Sequence, residues 1–124
     1  MTWSQTDLAT FAPADDFRVA PFRADGKTPG TPTFIWSVVS DGRLFIRPYS
    51  GARSSWYQAA LEQGAGQVQI AGATRDVRFA PAPDDDLNDR IDDAYREKYA
   101  GSRYLVPMVA DCPRAATVEV LPAA

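Results

Sequence analysis

Histidine is absent from these 124 residues. Its absence removes the Ser-His-Asp and Cys-His dyads, the usual zinc sites and the ordinary near-neutral general base. Cysteine occurs once, at Cys112, so neither an internal disulfide nor a thiolate metal cluster is possible within one chain. No window approaches the roughly eighteen apolar residues of a spanning helix, and MTWSQTDLATF lacks a basic segment followed by an apolar run. Export by that route and membrane insertion are not expected, and the expected location is cytoplasmic. Lysine is scarce too: arginine supplies 11 of the 13 basic residues, which suits fixed, planar recognition better than a solvated lysine coat. A net charge of −3 argues against a general nucleic-acid or anionic-membrane binder. Any chemistry is expected to come from a cofactor, a carboxylate or a tyrosine.

The stretch around which the chain is organised is PTFIWSVVSDGRLFIRPYSGARSSWYQAAL, residues 32–61. Thr33 to Ser40 and Arg43 to Tyr49 are β-branched and aromatic runs separated by Asp41-Gly42, a dipeptide suited to a two-residue type I′ turn. That turn fixes the register: Ser40 faces Arg43, Val38 faces Phe45 and Trp36 faces Arg47. One face then carries Phe34, Trp36, Val38, Phe45, Arg47 and Tyr49. The other carries Ile35, Ser37, Val39, Leu44, Ile46 and Pro48. With apolar residues on both, the hairpin is expected to be covered on both sides. Arg47 then sits among aromatics and needs a partner.

Ser50 to Ser55 leads into a helix at about Trp56, with Ser55 and Gln58 spaced as a capping box and Gly64 placed to end it. From Gly42 to Leu61 there are three arginines and no carboxylate. Free N–H groups at a helix start, hydroxyls and guanidinium groups together point to an anion site. The competing account pairs Arg47 and Arg53 with carboxylates of an acidic helix further on, such as Asp89 or Asp92.

The length fits one domain, residues 1–124, burying roughly two-thirds of its unfolded surface. A short helix is expected from a Ser4 cap to about Phe11, with Trp3 and Leu8 as a hydrophobic staple, then a strand from Phe17 to Phe22. RADGKTPGTP, residues 23–32, is turn chemistry that brings Arg23 and Lys27 to the hairpin mouth. Gln67 to Ala71 and Arg75 to Ala80 read as a second hairpin joined by Gly72-Ala73-Thr74. An amphipathic helix follows Asp84-Asp85-Asp86 to about Tyr99, with Asp86–Arg90 and Asp92–Arg96 spaced for (i, i+4) pairs. Its aspartates read as caps and a solvated face, with no calcium-loop spacing. Tyr104 to Ala110 reads as a buried connector and Ala115 to Leu121 as a last strand. Six strands with sequential antiparallel pairing and sparse helices favour a small barrel, an α+β fold that is mainly β.

DDFRVAPFRADG, the central stretch quoted above and NDRIDDAYREKY resemble a bacterial family catalogued as domain of unknown function 2255, from about Trp3 to Val120. The resemblance extends to the flavin-binding split barrels and, in the central segment, to deazaflavin-dependent nitroreductase-like proteins. It implies a six-stranded antiparallel split β-barrel, a homodimer, and FMN or a deazaflavin in a groove at the barrel edge. Carried over, it makes Arg47, Ser50, Gly51, Arg53, Ser54 and Ser55 the phosphate side, with Trp36 and Trp56 bordering the ring or packing beneath it. Ala52 and Arg53 depart from that pattern, where relatives tend to have glycine and lysine. The implied activity is an oxidoreductase that moves hydride to a small substrate, with Tyr49, Tyr57 or water as proton donor. The alternative is a non-enzymatic dimeric module that binds another anionic metabolite or a protein partner.

Overall fold

Asp41 and Gly42 both take positive φ, +57° and +68°, and the two-residue turn they form sets Ser40 opposite Arg43 and Val38 opposite Phe45. The computed structural model describes residues 2–123. In chain order the elements are α1 (Gln5–Phe11), β1 (Arg18–Pro21), β2 (Thr33–Phe34), β3 (Ser37–Ser40), β4 (Arg43–Ile46), a one-turn 3-10 helix (Gly51–Arg53) and α2 (Ser55–Gln63). There follow β5 (Ala65–Ile70), β6 (Ala73–Pro81), α3 (Asp85–Lys98), α4 (Leu105–Met108), α5 (Asp111–Ala115) and β7 (Val118–Pro122).

The strands form one antiparallel sheet in the order β2-β1-β5-β6-β7-β4-β3. Among the described residues there are seven strands where six were expected, because the run from Thr33 to Ser40 breaks in two. Thr33 and Phe34 pair with β1 at one edge, whereas Ser37 to Ser40 pair with β4 at the other. Only Ile35 and Trp36 lie between them, so the two edges must come together and the sheet curls into a half-barrel. The expected pairing of Trp36 with Arg47 therefore does not form; the ladder stops at Ser37 and Ile46. Nor is the pairing sequential, since β7 lies between β6 and β4.

Both faces of the β3–β4 hairpin are covered. Leu44, Ile46, Val19, Val68, Ile70, Val77, Val118 and Val120 fill the inside of the curl with Phe11, Phe17 and Trp56. Val38 and Phe45 face outward onto Leu87, Ile91 and Tyr95 of α3. α1 is capped by Ser4, whose Oγ accepts from Asp7 N at 3.0 Å, and Trp3 donates its indole N–H to Val120 O at 2.7 Å. The (i, i+4) pairs foreseen on α3 are replaced: Arg90 reaches Asp41, Arg96 reaches Asp93, and Asp92 turns inward. The segment read as a buried connector is helical and only partly covered: Tyr104, Val106 and Ala110 are exposed, and Met108 is the residue of α4 that is buried.

The second hairpin turns at Ala71-Gly72, one residue earlier than the expected Gly72-Ala73-Thr74 connection. Ala71 has φ +52°, unfavourable for an L-residue with a Cβ, and the Asp16 carboxylate accepts from the N–H groups of Ala71 (2.8 Å) and Gly72 (3.0 Å). The Ala71 bond is the main cause holding the Asp16 carboxyl below its usual range. Ala71→Asn, which restores the preferred Asn-Gly turn, is expected to stabilise the fold by about 0.5 to 1 kcal/mol in thermal melts. No gain would mean that the backbone already relaxes at this turn.

Candidate functional site

Where the chain crosses between the sheet edges it leaves a cleft of about 240 Å³, with Phe34, Ile35, Trp36, Tyr49, Tyr104 and Met108 around it. The walls come from three separate parts of the sequence: the β2–β3 crossing, the residues after β4, and α4 with the residue before it. Trp36 is half-buried, with its indole stacked on Tyr99 at 3.9 Å between centroids and 3° between planes. Tyr99 is fixed in turn, its hydroxyl accepting from Ser37 N (3.2 Å) and donating to Ser37 O (3.1 Å). Burial pushes the Tyr99 phenol up to about 12, so it stays neutral under the indole. Opposite, Tyr49 and Tyr104 meet edge to face at 5.9 Å, both about half exposed. The cleft thus offers flat apolar surface with two phenols, those of Tyr49 and Tyr104, and Tyr49 is the one that precedes the Ser50 loop.

Arg47 lies behind the cleft floor with no exposed side-chain surface. Its expected role toward an outside phosphate is corrected by its contacts. Nε donates to Thr117 Oγ1 (2.9 Å), Nη1 to Asp92 and to Met108 O (3.3 Å), and Nη2 to Asn88 Oδ1 (3.0 Å) and Asn88 O (3.4 Å). A guanidinium has five N–H donors, and all five have acceptors here. Its carbon also lies 5.2 Å from the centre of the Tyr95 ring. Asp92 in turn accepts from Arg114, which also pairs with Asp89 at 2.9 Å. The competing account was right for Arg47 and Asp92.

The other expected phosphate-side residues divide. Gly51 is buried with φ +69°, and a Cβ on it would stand 3.2 Å from Cys112 Cβ; its glycine answers to a left-handed bend packed on α5. Trp56 is a core residue inside the curl, edge-on to Tyr57, and neither lines the cleft. The capping box does not form: Ser54 is the N-cap without a side-chain cap bond, and Gln58 donates to Ala52 O instead. Gly64 does end α2, in the left-handed conformation. Ser50, Arg53 and Ser55 are exposed and Ser54 is partly so. None of the four lines the cleft; they come after Tyr49 in the chain, and Ser54 and Ser55 open α2, whose first N–H groups have no intrahelical acceptors. Arg23 and Lys27 are not at the cleft; their loop closes on Asp25, which accepts from Lys27 N and Thr28 N at 2.9 Å each.

Phe34, Ile35, Tyr104 and Met108 complete the cleft without having been singled out as ligands. Phe34 was already on the right face of the hairpin. Tyr104 and Met108 carried one signal, an apolar YLVPM run too short and too proline-interrupted to be a core helix.

A family model described as "Uncharacterized protein conserved in bacteria (DUF2255)" matches residues 7–120. No curated protein and no solved structure matches the chain.

Proposed function

This chain belongs to the bacterial DUF2255 family, and from its cleft we propose that it binds a flat ring cofactor of the flavin class, FMN or a deazaflavin. The observation that carries the reading is the Trp36 indole, stacked on Tyr99 and lining a cleft that it shares with the aromatic rings of Phe34, Tyr49 and Tyr104. Preformed aromatic surface favours a planar, polarisable ligand, because stacking adds about 0.5 to 1.5 kcal/mol beyond the area buried. At about 240 Å³ the cleft suits a ring system and not a whole nucleotide. The rest of the ligand would run over Tyr49 to Ser50, Arg53, Ser54, Ser55 and the start of α2, which fit its phosphate.

Such a cofactor supplies hydride transfer when bound, and the protein contributes orientation and electrostatics, so a chain without histidine is adequate to the task. Trp36 would fix the ring plane, Arg53 would fix the charged end, and Tyr49 Oη is the proton-carrying group at the rim. We propose an oxidoreductase acting on a small substrate, within the split-barrel architecture and as a homodimer.

Titration of the purified protein with FMN or a deazaflavin is expected to quench ligand fluorescence and raise the melting temperature. A single-site ligand at a hundred times its dissociation constant adds about 2.7 kcal/mol of stability. Trp36→Ala should weaken binding about tenfold, and Arg53→Ala by about 1 to 3 kcal/mol, both with the fold intact. No shift with either cofactor at millimolar concentration would favour the second reading, a non-enzymatic module. That reading has its own observation: Phe34, Tyr49, Tyr104 and Val106 are all exposed at or beside the cleft, an apolar patch suited to a protein partner or a second copy.

A further inference from the structure

On another side of the molecule, the end of α1, strand β3 and the last turns of α3 enclose a cavity of about 380 Å³. Ala12, Pro13, Val38 and Val39 form its apolar walls, and Glu97 and Lys98 its polar ones. Lys98 is one of two lysines in the chain, and it is half-buried. Its Nζ donates to Ser37 O at 2.7 Å, and the Tyr99 hydroxyl occupies the same carbonyl. Among the described residues no carboxylate lies within 4.0 Å of that nitrogen. An ammonium there keeps one carbonyl acceptor and gives up much of its hydration, which favours the neutral amine.

We propose that Lys98 is an imine-forming amine, and that this cavity admits short, uncharged aldehydes to it. The neutral nitrogen attacks the carbonyl carbon, its proton passes through solvent to the carbonyl oxygen, and the carbinolamine then expels water to leave the imine. No oxidant or reductant is consumed. Asp15 and Asp16 from the α1–β1 connection act on the nitrogen with negative charge, and Glu97 lines the same cavity, so uncharged aldehydes are favoured over carbonyl compounds that carry a carboxylate. Tyr99 is the remaining titratable neighbour. Burial draws Lys98 down to about 8 against the weaker opposing pull of Asp15 and Asp16. A desolvated lysine of this kind is a familiar way to activate an amine near neutral pH.

Lys27, exposed in its loop, is the internal control. The whole protein is incubated with propanal and sodium cyanoborohydride at pH 7, and the reduced adducts are located by peptide mapping. Lys98 is expected to be labelled about tenfold faster than Lys27, from its larger neutral fraction set against a weaker intrinsic basicity. The ratio should fall to about one in denaturing urea, and glyoxylate should label Lys98 more slowly than propanal. Lys98→Arg should remove the adduct, but the wild-type ratio decides the matter even if that variant does not fold. Equal labelling of both lysines at pH 7, or a preference for Lys27, would overturn the proposal and leave Lys98 as an anchor of α3 on β3.

Discussion

Asp92→Ala is expected to lower stability by about 3 to 5 kcal/mol, one of the two largest effects foreseen for single changes in this chain. Asp92 stands between two guanidinium groups, Oδ1 on Arg47 and Oδ2 on Arg114 at 2.6 Å. Arg114 is partly exposed and keeps Asp89, so it tolerates the loss. Arg47 is fully buried and would keep only the neutral acceptors Thr117, Asn88 and Met108 O. A buried cation without its counter-charge costs far more than the intact pair contributes, because the desolvation is still present and the Coulombic return is gone. Arg47→Met should therefore be milder than Asp92→Ala, since it removes the buried cation and leaves Asp92 with Arg114. Urea denaturation midpoints at unchanged slope measure both. If Asp92→Ala loses less than about 1 kcal/mol, water or another carboxylate reaches Arg47.

Gly66→Ala is the second, with an expected loss of about 3 kcal/mol. Gly66 lies on β5 opposite Pro21 of β1 and Val77 of β6, in the middle of three strands. A Cβ at this position would stand 2.6 Å from Pro21 Cα and 2.7 Å from Ala20 O. Those are backbone atoms, so no side chain can rotate away and β1 itself must move off. Gln69→Ala, an exposed change on the same strand, should stay within about 0.5 kcal/mol. A Gly66→Ala variant that melts within a degree of the wild type would show that β1 and β5 do not approach so closely.

Local chemistry carried the parts of the fold that depend on few neighbours. Asp41-Gly42 wrote its own turn, Ser4 its own cap and Gly64 its own helix end, because each needs only a backbone angle or one hydrogen bond. The break at Ile35-Trp36 was not legible: nothing in TFIWSVVS stops a strand, and the division comes from which neighbour each half pairs with. The place of β7 between β6 and β4 was hidden for the same reason. At the site, the sequence placed Arg47 on the correct face and named Asp92 as one possible partner. It read the first turns of α3 as solvated because aspartate is usually exposed. Asn88 and Asp92 point inward in that helix, and only the tertiary position of Arg47 explains why. The family resemblance made Trp56 and Gly51 ligand residues, and their actual neighbours are core side chains and α5.

The seating of β7 also bears on how the polypeptide assembles as it is synthesised. Before residues 118–122 emerge, β1, β2, β5 and β6 can pair among themselves and β3 with β4, but no ladder joins the two groups. Each group then shows an open edge, at β6 and at β4, of the sort that invites pairing with another nascent chain. Until residues 118–122 are free to pair, the two half-sheets stay unjoined, and those five residues supply both ladders of the seam.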